Sequence, residues 1–127
     1  MTRPIRIVLV EDNATFREAL ELLLGLRSDI DIVAAVGDGE AAAETCLRLL
    51  PDVVLMDYRL PGLDGVQATK EVLAIAPGVA VVCLTGAAND RERGALLEAG
   101  ARACLHKDQD LDDIVQAIHD AAGRGAH

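Results

Sequence analysis

Apolar residues along this chain fall into two alternating patterns. Short, nearly continuous apolar runs rich in β-branched residues occupy positions 5–10, 32–36, 53–56 and 79–84, with a weaker run at 103–106. Such runs suit parallel strands covered on both faces, where no side of the strand turns to solvent. Segments with helical spacing lie between them. Phe16, Leu20, Leu23 and Leu24 form one stripe, with Arg17, Glu18 and Glu21 on other faces. Ala43, Cys46, Leu47 and Leu50 form a second, closed by Pro51, which has no N–H to continue a helix. Asp64 and Gln67 have the spacing of a capping box and open a third helix that ends near Pro77-Gly78. Positions 89–99 and 110–122 complete the set, with Gly100 and Gly123 as stops.

Five strand–helix alternations predict an α/β fold of (βα)5 type, a doubly wound parallel five-stranded sheet with helices on both sides. The 127 residues hold one such unit, expected over 1–123, with 124–127 as the start of a linker or tail. The chain has one Phe, one Tyr and no Trp, so its core must be aliphatic. A net charge of −9 argues against direct binding of nucleic acid or anionic lipid by this segment. No apolar run reaches membrane-spanning length, and the first is broken by Arg6 and followed at once by Glu11 and Asp12. Cys46, Cys83 and Cys104 lie far apart in apolar runs, without zinc-ligand spacing. They read as buried hydrophobes of a cytoplasmic protein.

Open α/β sheets bind ligands beyond the carboxyl ends of their strands. Glu11 and Asp12 follow the first strand, Asp57 the third, Thr85-Gly86 the fourth and Lys107 the fifth. Each alone could be a solvated loop residue or a helix cap; four strands delivering such groups to one edge is harder to dismiss. Three crowded carboxylates repel one another unless a cation joins them, and a small, oxygen-preferring Mg2+ suits that task. Lys107 adds a second positive charge and Thr85 a hydroxyl donor, making a cradle for a phosphoryl group on a carboxylate nucleophile. Asp57 ends a hydrophobic strand near the middle of the sheet and is the expected nucleophile. The stretch Gly37-Asp38-Gly39-Glu40-Ala41-Ala42 fits a loose dinucleotide-binding pattern, but two carboxylates beside a pyrophosphate disfavour it. A turn with Asp38 capping the next helix is preferred. His119 and His127 have no acidic partner that suggests catalysis, and His106, beside Lys107, could tune the pocket, although a surface role is preferred.

At these residues the sequence resembles the receiver domains of bacterial two-component response regulators. The matching elements are Glu11-Asp12, Met56-Asp57 with Leu60-Pro61-Gly62 and Asp64-Gly65, Thr85-Gly86, and Lys107. Arg17-Glu18-Ala19-Leu20, Asp31-Ile32-Val33 and Asp38-Gly39-Glu40-Ala41 are similar to the NarL/FixJ (LuxR-type) subfamily. The resemblance implies a flavodoxin-like receiver fold with strand order 2-1-3-4-5, and a phosphoacceptor that assists its own phosphorylation and dephosphorylation, not an enzyme. It implies that Asp57 takes a phosphoryl group from a sensor histidine kinase. Glu11, Asp12, Asp57 and the backbone carbonyl of Arg59 would hold Mg2+, and Thr85 and Lys107 would contact the phosphoryl oxygens. Homodimerisation on phosphorylation, and control of transcription through a DNA-binding domain beyond these residues, are also implied. One departure stands out: Cys104 occupies the position where the family has a switching Tyr or Phe. A thiol is too small to swing with a comparable change in buried area.

Overall fold

The computed structural model of the chain describes residues 3–57, 64–86 and 89–123. Along them run β1 (Ile5–Val10), α1 (Ala14–Gly25), β2 (Ile30–Val36), α2 (Gly39–Leu49), β3 (Val53–Asp57), α3 (Gly65–Ile75), β4 (Ala80–Thr85), α4 (Asp90–Glu98), β5 (Ala103–His106) and α5 (Leu111–Ala121). All strand pairs are parallel and the sheet order is β2-β1-β3-β4-β5, as the resemblance implied. The tail expected at 124–127 lies outside the described residues.

Alternation along each strand divides the core in two. Ile5, Ile7 and Leu9 of β1, Val53 and Leu55 of β3, and Val82 and Leu84 of β4 face α1 and α5, against Leu20, Leu24, Ile114 and Ile118. Val8 and Val10, Val54 and Met56, and Val81 and Cys83 face the other way, against Ala42 and Cys46 of α2, Val72 of α3 and Leu96 of α4. β3 and β4 are buried throughout, whereas β2 and β5, at the edges, are partly exposed. All three cysteines are buried, as expected. Burial pushes the thiols of Cys83 and Cys46 up to about 12 and about 11 and also raises Cys104, so they stay protonated.

The helix ends follow local chemistry. Asn13, Asp38, Asp64 and Asn89 each accept a backbone N–H three residues on, so Asp38 does cap α2. The box expected at Asp64 is half formed, because the Gln67 side chain turns to Glu71. The reciprocal pair forms instead at Asn89 and Glu92. Gly100 and Gly123 stop their helices at φ +114° and +76°, conformations that need glycine. Two stripes were drawn too wide. Leu23 is exposed beside buried Leu20 and Leu24, and Leu47 and Leu50 are exposed while Ala42 and Cys46 carry α2's contact. His119 has a structural partner: its Nε2 lies 2.7 Å from Asp29 Oδ2, joining the end of α5 to the start of β2.

Candidate functional site

A parallel sheet brings every strand's carboxyl end to one rim, and the polar residues that follow β1, β3, β4 and β5 collect there. β1 and β3 are adjacent and in register from Ile7 with Val53 to Val10 with Met56, so Glu11 and Asp57 emerge as neighbours. Ligand oxygens of Glu11, Asp12 and Asp57 lie within 4.8 Å of one another. Glu11 and Asp57 are buried, whereas Asp12 is exposed. β4 adds buried Thr85, whose carbonyl accepts the Lys107 N–H at 2.9 Å, so the ends of β4 and β5 are tied by their backbone.

The Lys107 ammonium enters the pocket from the β5 side. Its Nζ lies 2.7 Å from Glu11 Oε1 and 3.3 Å from Asp57 Oδ2. Glu11 is fixed at three points: Asn13 N–H donates to Oε2 at 3.0 Å, Arg17 Nη1 donates to its carbonyl at 2.7 Å, and Lys107 faces Oε1. The Lys107 approach is charge to charge without hydrogen-bond alignment, so buried Oε1 has no hydrogen-bond donor among the described residues. A buried carboxylate oxygen met only by a lysine ammonium, next to two more carboxylates, fits a divalent cation of the magnesium class.

Electrostatics point the same way. Burial, then contact and charge repulsion with Glu11, push the Asp57 carboxyl up to about 7, against the opposing pull of Lys107. For Lys107, burial alone works downward, but contact with Glu11 and the charges of Asp57 and Glu11 outweigh it, and its pKa is raised. The pocket is therefore short of positive charge even with the lysine in place.

Of the residues singled out from the sequence, Glu11, Asp12, Asp57, Thr85 and Lys107 meet at this rim. Arg59 lies outside the described residues. Cys104 does not reach the pocket: it is buried opposite Cys83 on the α4 side of the sheet. His106 is partly buried, 3.4 Å from Arg93 Nη1. Sequence reasoning missed Phe16 and Arg17, which were assigned to packing and to an outer face. Arg17 holds the Glu11 carbonyl, and the Phe16 ring lies 4.9 Å from the Lys107 ammonium. For Arg17, its place in the helix turn after the acidic pair was the available signal.

The family model of the response regulator receiver domain matches residues 7–119. The transcriptional regulatory protein LnrK of Bacillus subtilis is 39% identical over 114 residues, covering 90% of this chain and 52% of that protein. The chain thus spans about half the length of the curated relatives it matches. The signal receiver domain of NarL from Mycobacterium tuberculosis superposes with a TM-score of 0.91 at 33% identity, over 96% of this chain and 98% of that one. A receiver domain of a Pseudomonas aeruginosa sensor histidine kinase, solved with a magnesium ion coordinated in its active site cleft, is 33% identical with a TM-score of 0.78, over 94% of this chain and 98% of that one. The chain belongs to the response regulator receiver domain family, among relatives of the NarL and LuxR type.

Proposed function

We propose, from this membership and the pocket's chemistry, that the chain is a phosphoacceptor switch with Asp57 as its nucleophile. The observation that carries the proposal is the buried Glu11–Asp57 pair, with Asp12 and Lys107 beside it. Glu11, Asp12 and Asp57 would hold Mg2+, with the Arg59 carbonyl as a further ligand by family resemblance. The ion supplies charge to offset the repulsion between an anionic nucleophile and an anionic phosphoryl group.

The protein's own groups do the rest. An Asp57 oxygen forms the new P–O bond while the bond from phosphorus to the donor, a histidine nitrogen of a sensor kinase, breaks and the imidazole takes up a proton. Lys107 is already within 3.3 Å of Asp57 and can follow the charge onto the phosphoryl oxygens. Thr85, at the end of β4, offers a hydroxyl donor on the same side. Because the Lys107 N–H is bound to the Thr85 carbonyl, movement of either is felt by both loops. Signal output then follows from the altered surface of α4, β5 and α5, through self-association and a DNA-binding domain outside this chain. A cytoplasmic place fits that partnership. Among the described residues no helix is long and apolar enough to cross a membrane.

Magnesium-dependent labelling with acetyl phosphate tests the reading, comparing the parent chain with Asp57→Asn. Labelling is expected in the parent and absent in the variant. Undiminished labelling of the variant would move the nucleophile elsewhere.

A further inference from the structure

Lysine presents a compact charge on a flexible stem, and nothing intrinsic to it fixes where the ammonium rests. Here the side chain is partly exposed, two carboxylates attract the ammonium, and an aromatic face flanks it. Phe16, in the first turn of α1, is partly buried and packs against the core cluster to which α1 and α5 contribute. Its ring centroid lies 4.9 Å from Lys107 Nζ, inside the range over which a cation is drawn to the ring's negative face. The ammonium rests closer to Glu11, at 2.7 Å, than to Asp57, at 3.3 Å.

We propose that Phe16 is a positioning residue for Lys107, holding the ammonium on the Glu11 side of the pocket until charge grows on Asp57. The inference rests on the phosphoacceptor reading above. The chain's only phenylalanine thus contacts the site from α1, on the sheet face opposite to the small buried thiol of Cys104. A phosphoryl group on Asp57 draws Lys107 away from the ring, so the first turn of α1 becomes the aromatic reporter of the pocket's charge.

Phe16→Leu keeps an apolar side chain without the ring, and Phe16→Tyr keeps the ring. The methylene protons next to the Lys107 ammonium, followed by NMR, are expected to be shifted upfield by the ring in the parent and in Phe16→Tyr. The shift should vanish in Phe16→Leu, and in the parent after beryllofluoride and Mg2+ are added. Without the ring, Lys107 pairs more closely with Asp57 and weakens it as a nucleophile, so acetyl phosphate labelling should slow by roughly two- to fivefold in Phe16→Leu, the range a partly exposed cation–π contact supports, and recover in Phe16→Tyr. An unshifted Lys107 signal in the parent, or Phe16→Leu labelling at the parental rate, overturns the proposal. Failure of Phe16→Tyr to recover the rate overturns it too, because packing alone would then account for the loss. A parent chain that takes up neither acetyl phosphate nor beryllofluoride defeats the phosphoacceptor reading instead, and the ring-shift comparison still decides whether Phe16 holds Lys107.

Discussion

Asp57 is held in two minds by its surroundings. Burial and the Glu11 carboxylate favour its neutral form, while Lys107 favours the charged one, and the balance leaves its carboxyl at about 7 against an ordinary 3.8. A carboxylate in that position is a stability liability wherever solvent pH keeps it ionised without a cation. At pH 8, in the absence of divalent ions, Asp57→Asn is therefore expected to be more stable than the parent by roughly 1–3 kcal/mol, read as a higher urea midpoint. The loss of its contact with Lys107 works against that gain, but Lys107 keeps Glu11 as its closer partner. A variant less stable than the parent would mean that pairing outweighs desolvation at this residue. Asp57, Thr85 and Lys107 were legible in the sequence because each ends or directly follows a strand, and a parallel sheet sends all such ends to one rim. The Phe16 contact was not, since 91 residues separate it from Lys107 and no local spacing encodes the approach.

The elements divide by how fully they are covered. Strands were readable from continuous apolar runs because β3 and β4 are covered on both faces. Helices were less so: α2 meets the sheet through Ala42, Thr45 and Cys46, and small residues in an alanine-rich helix give a weak stripe that the exposed Leu47 and Leu50 mislead. Two of the three helix stops with positive φ make opposite predictions. Leu50 ends α2 at φ +46° with its side chain largely in solvent, so Leu50→Gly removes a steric penalty and sacrifices little burial. A gain of roughly 0.5–1 kcal/mol in urea unfolding is expected. At Gly100, φ is +114° and an added Cβ would lie 2.5 Å from Leu73 Cδ1. Gly100→Ala should lose roughly 1–3 kcal/mol, and a neutral result there would show that Leu73 and the α4–β5 turn yield easily.

Across the whole molecule, two carboxylates at opposite ends of the sheet set the response to pH. At the lower end, Asp29 is hydrogen-bonded by Arg27, with His119 assisting against burial, and its carboxyl falls to about 2. Its folded pKa is below 3.8, so its contribution is present above about pH 4 and is lost as pH falls toward 2. Partial exposure of the Arg27–Asp29 pair holds that contribution to roughly 1 kcal/mol or less. Asp57 acts in the other direction. Its folded pKa is above the unfolded value, so the native state keeps a proton that the unfolded chain has released, and stability falls as pH rises from about 4 to about 7. The metal-free protein should therefore be most stable on the acid side, near pH 4–5, and weaken toward neutrality. A divalent cation binding the folded pocket reverses the Asp57 contribution, because it stabilises the ionised carboxylates only in the native state. Urea titrations from pH 4 to 8, with and without millimolar Mg2+, should show two curves that coincide at low pH and separate as Asp57 ionises. In Asp57→Asn the pair of curves should nearly merge. A parent protein whose stability rises through pH 4–7 without metal, or whose curves stay together at pH 8, would show that the crowded carboxylates are already satisfied by Lys107.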